Sequence, residues 1–127
     1  MAHFLQLGSV TIGTGCTDSS VSASVAVPSR GNVTITASMV IEITHTSGTS
    51  DTVAVFGSTS RFGDCSDTAG YAVVPASAAS DNYYLSVPVA LTSPVATSGT
   101  YTYTVAALTS GTAYIYFASG YVVFYPG

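Results

Sequence analysis

Two cysteines, two histidines, six carboxylates and two arginines make up the reactive inventory of this 127-residue chain, which contains no lysine. Cys16 and Cys65 each sit in a glycine-bearing polar stretch with aspartate beside it, Gly15-Cys16-Thr17-Asp18 and Gly63-Asp64-Cys65-Ser66-Asp67. They are either joined or two free thiols in separate loops. A bridge is favoured, because exposed thiols on an otherwise inert surface are a liability, and closing so long a loop contributes about 4 kcal/mol in the chain-entropy model. Two thiolates without paired histidines do not make a zinc centre. Asp64 and Asp67, with Asp18 or Asp51, offer oxygens to calcium, but without the spacing of an EF-hand. Turn formation accounts for these aspartates better.

His3 and His45 are far apart, and neither has a serine, cysteine or carboxylate neighbour in a triad-like arrangement. Glu42 stands on an alternating segment without a second acid at a telling spacing. Arg30 and Arg61 are expected to pair with carboxylates, within the subunit or at an interface, rather than to activate a substrate. Asn32-Val33-Thr34 matches the glycosylation triplet, but it opens a strand. No catalytic residue, metal or cofactor is expected, and an enzyme is the least supported class.

The segments that carry these residues are strands. In residues 32–44, Val33, Ile35, Ala37, Met39, Ile41 and Ile43 share one face, while Asn32, Thr34, Thr36, Ser38, Glu42 and Thr44 share the other. Residues 21–27 alternate likewise and stop at Pro28. Further strands are expected at 52–59, 71–75 and 83–91, where Leu85, Val87, Val89 and Leu91 face inward and Pro88 marks an edge or a bulge. Residues 99–126 read as three neighbouring antiparallel strands, divided at Thr109-Ser110-Gly111 and at Ser119-Gly120, and hold most of the nine tyrosines. Residues 3–12 form either an edge strand of their own sheet or an arm that completes a neighbour's sheet. No stretch keeps helical spacing, so the chain reads as one all-β domain, 1–127, a two-sheet antiparallel sandwich of eight or nine strands with residues 1–12 as the arm or edge strand.

Only 6% of residues are charged, against about a quarter in an average soluble domain. Two arginines are too few to neutralise several phosphates, which excludes nucleic acid as a partner. No apolar run approaches the roughly 18 residues of a membrane helix, so no membrane partner is expected. Residues 1–3 lead into the first strand without the basic flank and apolar stretch of a signal peptide. A surface of Ser, Thr, Ala and Gly with so little charge points to burial in an assembly, since mixed charge is what keeps small domains apart. Tyrosines of outward parity strengthen that expectation, because tyrosine buries area while keeping a hydroxyl for bonding. Tyr101, Tyr103, Tyr114, Tyr116 and Tyr121, with Phe4, Leu5 and Leu7 of the first strand, are the self-association candidates.

The long strand of residues 32–44, the loop with Cys65, the Gly-Thr-Tyr-Thr-Tyr run from Gly99, Ala-Tyr-Ile-Tyr-Phe from Ala113 and the terminal Tyr-Val-Val-Phe-Tyr-Pro together carry a resemblance. Over residues 20–127 the chain resembles the small tumour-necrosis-factor-like jelly rolls of phage structural proteins and bacterial surface proteins. The resemblance implies ten strands in jelly-roll topology, trimers formed through aromatic faces, chain ends near each other, and no catalytic residues. With no stalk or fibre shaft ahead of the first strand, a free-standing subunit is expected rather than a fibre tip.

The function expected is that of a non-enzymatic virion structural protein, a bacteriophage capsid decoration or cement subunit or a small spike. It would self-associate, with a homotrimer favoured, against the major capsid protein or other virion subunits. The alternatives are an extracellular or cell-surface filament or surface-layer subunit polymerising by exchange of the N-terminal strand, and a carbohydrate-binding module.

Overall fold

The computed structural model describes residues 1–6, 8–20, 22–58, 65 and 68–127. Among these the chain is all strand and no helix: β1 (Ala2–Gln6), β2 (Val10–Ile12), β3 (Thr17–Asp18), β4 (Ala23–Val27), β5 (Gly31–His45), β6 (Asp51–Ser58), β7 (Thr68–Val74), β8 (Asp81–Val95), β9 (Gly99–Thr109) and β10 (Thr112–Pro126).

Two antiparallel sheets pack as a sandwich. In the first, β1 and β2 lie along one edge of β10, followed by β5 and β8; in the second, β3 and β4 lie along β9, followed by β6 and β7. Chain order nests the pairs β2 with β10, β4 with β9, β5 with β8 and β6 with β7, alternating between the two sheets. That order is compatible with a jelly roll.

The core lies where the alternation of β5 places it. All six of its inward side chains are buried, facing Val53 and Val55 of β6, Ala72 and Val74 of β7, and Tyr103, Val105 and Ala107 of β9. Fully burying each of the larger aliphatic side chains stabilises the fold by about 1.5–3 kcal/mol relative to exposure. β8 is the far edge of the first sheet, bonded on one side only. That position tolerates Pro88 and Pro94, which bring no amide to a ladder. In the connection from β5 to β6, Gly48 turns the chain at φ 104°, which side-chain-bearing residues rarely adopt, and its amide donates to Ala76 O.

The C-terminal third differs from the three adjacent strands expected. It forms two strands, β9 and β10, in opposite sheets. Ser119-Gly120 is no turn: β10 runs straight through it, opposite Ser38 and Ala37 of β5. A Cβ at Gly120 would strike the Thr36 carbonyl and Ala37, so this glycine serves the close approach of two strands. The irregularity lies earlier, as a bulge between Ile115 and Phe117. It switches parity, so that Ala113 and Ile115 point inward before it, and Ala118 and Val122 after it.

Gln6 completes that bulge. Wholly buried, it donates through Nε2 to Ile115 O at 2.9 Å and to Gly8 O at 2.6 Å. Its Oε1 accepts from the Ser19 hydroxyl at 2.9 Å and from the Ser20 amide at 3.3 Å. One glutamine thus ties β1, the bulge in β10 and the approach to β4. β1 pairs with its own chain's β10, from Ala2 opposite Val122 to Gln6 opposite Ala118, and is an edge strand of its own sheet here.

Candidate assembly face

The outer faces of the two sheets are finished differently. On the second sheet, Ala54, Phe56 and Ala106 are buried on the side away from the core, beneath Cys16, Cys65 and Leu108. Cys16 and Cys65 are joined by a disulfide, Cα to Cα 5.7 Å, across 49 positions. The disulfide packs over these apolar side chains, and both parities of β9 are buried from Tyr103 to Ala107. Leu7, Arg61, Asp64 and Asp67 lie outside the described residues. Among the described residues no three His, Cys, Asp or Glu side chains gather in a way that could hold a metal.

His45 and Asp51 form the single ion pair found among the described residues. His45 ends β5, Asp51 begins β6, and Nδ1 lies 2.6 Å from Oδ2. The far ring nitrogen, Nε2, faces the Ala78 carbonyl at 3.2 Å, and Tyr83 packs edge-on at 5.9 Å. With its second nitrogen capped and its ring buried, His45 fastens loops at one end of the sandwich and leaves no nitrogen for a nucleophile. The sequence places these two residues six apart across a hairpin, but gives no sign that the β7–β8 connection closes over them.

The outer face of the first sheet has no such cover. Outward positions in register form rows across β10, β5 and β8: Tyr114, Glu42, Tyr84; then Phe117, Val40, Ser86; Ser119, Ser38, Pro88; Tyr121, Thr36, Ala90; and Tyr125, Asn32, Pro94. β1 adds Leu5 beside Ser119 and His3 beside Tyr121, the two rings 6.1 Å apart. Small residues at the centre open a shallow groove of about 540 Å³ between His3, Leu5, Ser38 and Tyr121. Tyr116, at the bulge, reaches over β5 to meet Tyr84 edge-on at 5.3 Å. Tyr84 is hydrogen-bonded to Glu42, and that bond first, then desolvation and the adjacent carboxylate charge, raises the pKa of its hydroxyl above the ordinary tyrosine value.

Of the self-association candidates, Leu5, Tyr116 and Tyr121 are exposed on this face and Tyr114 is half-buried in it. Tyr103 and Phe4 are not available to a partner, being 1% and 5% exposed within the core. Tyr101 packs inward too, its hydroxyl donating to Thr97 O at 2.8 Å. The reason is shared parity: Tyr101 and Tyr103 alternate with threonines in step with Val105 and Ala107, so they line the core side of β9. Tyr84 and Tyr125, both more than half exposed, belong to the face and were missed. Their opposition in parity to Leu85 and to Phe124 was a readable signal. No protein-family model matches this chain, and no curated protein matches it.

Proposed function

We propose that this protein is a non-enzymatic structural subunit of a virion, a capsid decoration or cement protein or a small spike, which works by packing the outer face of its first sheet against copies of itself and neighbouring subunits. One observation carries the reading. The Cys16–Cys65 disulfide lies over Ala54, Phe56 and Ala106 on the outer face of the second sheet, where Tyr71 and Val73 of β7 stay exposed, whereas the first sheet leaves five large side chains, Leu5, Tyr84, Tyr116, Tyr121 and Tyr125, bare. Several large exposed side chains on one face with little charge are what interaction faces present. Four strand widths of about 4.8 Å and a strand length of about 13 residues at about 3.4 Å each outline a face of about 800 Å², the size one partner contributes to a standard interface. The nested strand order is compatible with the jelly-roll topology that the resemblance implies, and the virion setting is taken from that resemblance.

The filament alternative requires β1 to leave its own β10 and Gln6 to give up its buried bonds, which weighs against it. A sugar platform is less favoured as well, because Tyr84 and Tyr116 meet at 77° and do not share a plane. The test is the mass in solution of the native chain and of a Tyr84→Ser, Tyr116→Ser variant. Native protein should assemble and the variant dissociate with its fold intact; a native monomer at high concentration removes the reading.

A further inference from the structure

The bare face carries one carboxylate, Glu42, beneath the Tyr84–Tyr116 pair near one end of β5. At the other end stands Arg30, the one Lys or Arg side chain among the described residues. It is exposed, forms no ion pair among those residues, and lines a shallow recess with Asn32 and Pro94 of this same face. Burying Glu42 in an assembly without a cation would be costly, because a desolvated carboxylate needs a partner. We infer that two copies pack this face antiparallel about a two-fold axis, so that Glu42 of each copy meets Arg30 of the other; this rests on the self-association proposed above.

The geometry is determined by register. A two-fold that exchanges positions 42 and 30 crosses β5 at Thr36, level with Tyr121 and His3. Because that axis runs across the strands in the plane of the interface, Tyr121 of one subunit meets Tyr121 of the other beside the central groove. Aligned sheets cross at about 30°, so about 20 Å from the axis the partner's Arg30 is displaced sideways by about 10 Å, a gap two extended side chains bridge. An isologous contact makes the ion pair twice. A trimer with parallel strands would instead gather the three Glu42 residues at one end.

The experiment is sedimentation equilibrium of the native chain, Glu42→Arg, Arg30→Glu and the double exchange. The native mass should be that of a dimer, or an even multiple, and each single reversal should weaken association about tenfold or more, since like charges then meet twice. The double exchange should restore it to within about threefold of native by re-forming the pair. Thr36→Cys should link to its partner through a bis-maleimide spanning about 10 Å, the separation of packed sheets, while Thr44→Cys, about 54 Å from its own copy, should not. A trimeric mass, unaltered single variants, an unrescued double variant or efficient linking at residue 44 overturns this arrangement and leaves the self-associating face standing. A native monomer overturns both.

Discussion

Replacing Gln6 with leucine tests whether the first strand is held by the glutamine amide or by burial alone. Leucine nearly keeps the volume, but it removes two fully buried hydrogen bonds, to Ile115 O and from the Ser19 hydroxyl, and two partly buried ones, to Gly8 O and from the Ser20 amide. Each buried polar group that loses its partner costs about 1–3 kcal/mol. Leucine recovers part of that through its apolar surface, leaving a net loss of about 3 kcal/mol. Urea unfolding followed by tyrosine fluorescence, which no tryptophan obscures, should show the midpoint fall at unchanged m. Hydrogen exchange should also quicken selectively at residues 2–6, because those amides depend on β1 staying on β10. A loss below about 0.5 kcal/mol, within the scatter of ordinary surface substitutions, would refute the role given to Gln6.

Other parts of the fold make equally direct commitments. His45→Ala should cost about 3 kcal/mol in the same unfolding assay, because it strands Asp51 near the buried end of the sandwich; a change under about 1 kcal/mol would contradict the pairing. Replacing Cys16 and Cys65 with serine should lower stability by about 4 kcal/mol and increase binding of an apolar dye, as the cover over Phe56 and Ala106 loosens; unaltered dye binding would contradict the covering role. Burial, then the nearby Tyr101, raises the pKa of the Tyr103 hydroxyl above 10.0, so the folded chain holds that proton after the unfolded chain has lost it. Its stabilising contribution is therefore complete below pH 10 and falls as pH rises beyond it. Absorbance at alkaline pH should show Tyr103 ionising only as the fold opens, and its ionisation along with the exposed tyrosines would contradict its place in the core.

The parts of this fold legible in the sequence are those where one parity is apolar and the other carries hydroxyls. β5 is the clearest case, its six inward residues named correctly because Thr and Ser mark the opposite side. Pro88 left β8 as an edge or a bulged strand, for want of an amide at that position, and the sheet order makes it the edge. β10 resisted because both of its parities are apolar or aromatic, so alternation could not tell core from surface, and a bulge midway changed which was which. Gly120 carries the same letter whether it turns a chain or lets two strands close together. Tyr103 and Tyr116 are alike in sequence, and only the pairing of their strands sends one into the core and the other into solvent. Gln6 was obscure for a different reason: its four partners lie in three separate segments, which no local pattern brings together.

The bare tyrosine face of the first sheet is the centre of the functional reading, and sedimentation of the native chain over a wide concentration range tests it most directly. Association should appear as concentration rises and should protect Tyr84, Tyr116, Tyr121 and Tyr125 from iodination, while the exposed Tyr71 of the other sheet stays reactive. A single species of monomer mass throughout, with those four tyrosines as reactive as Tyr71, would contradict it.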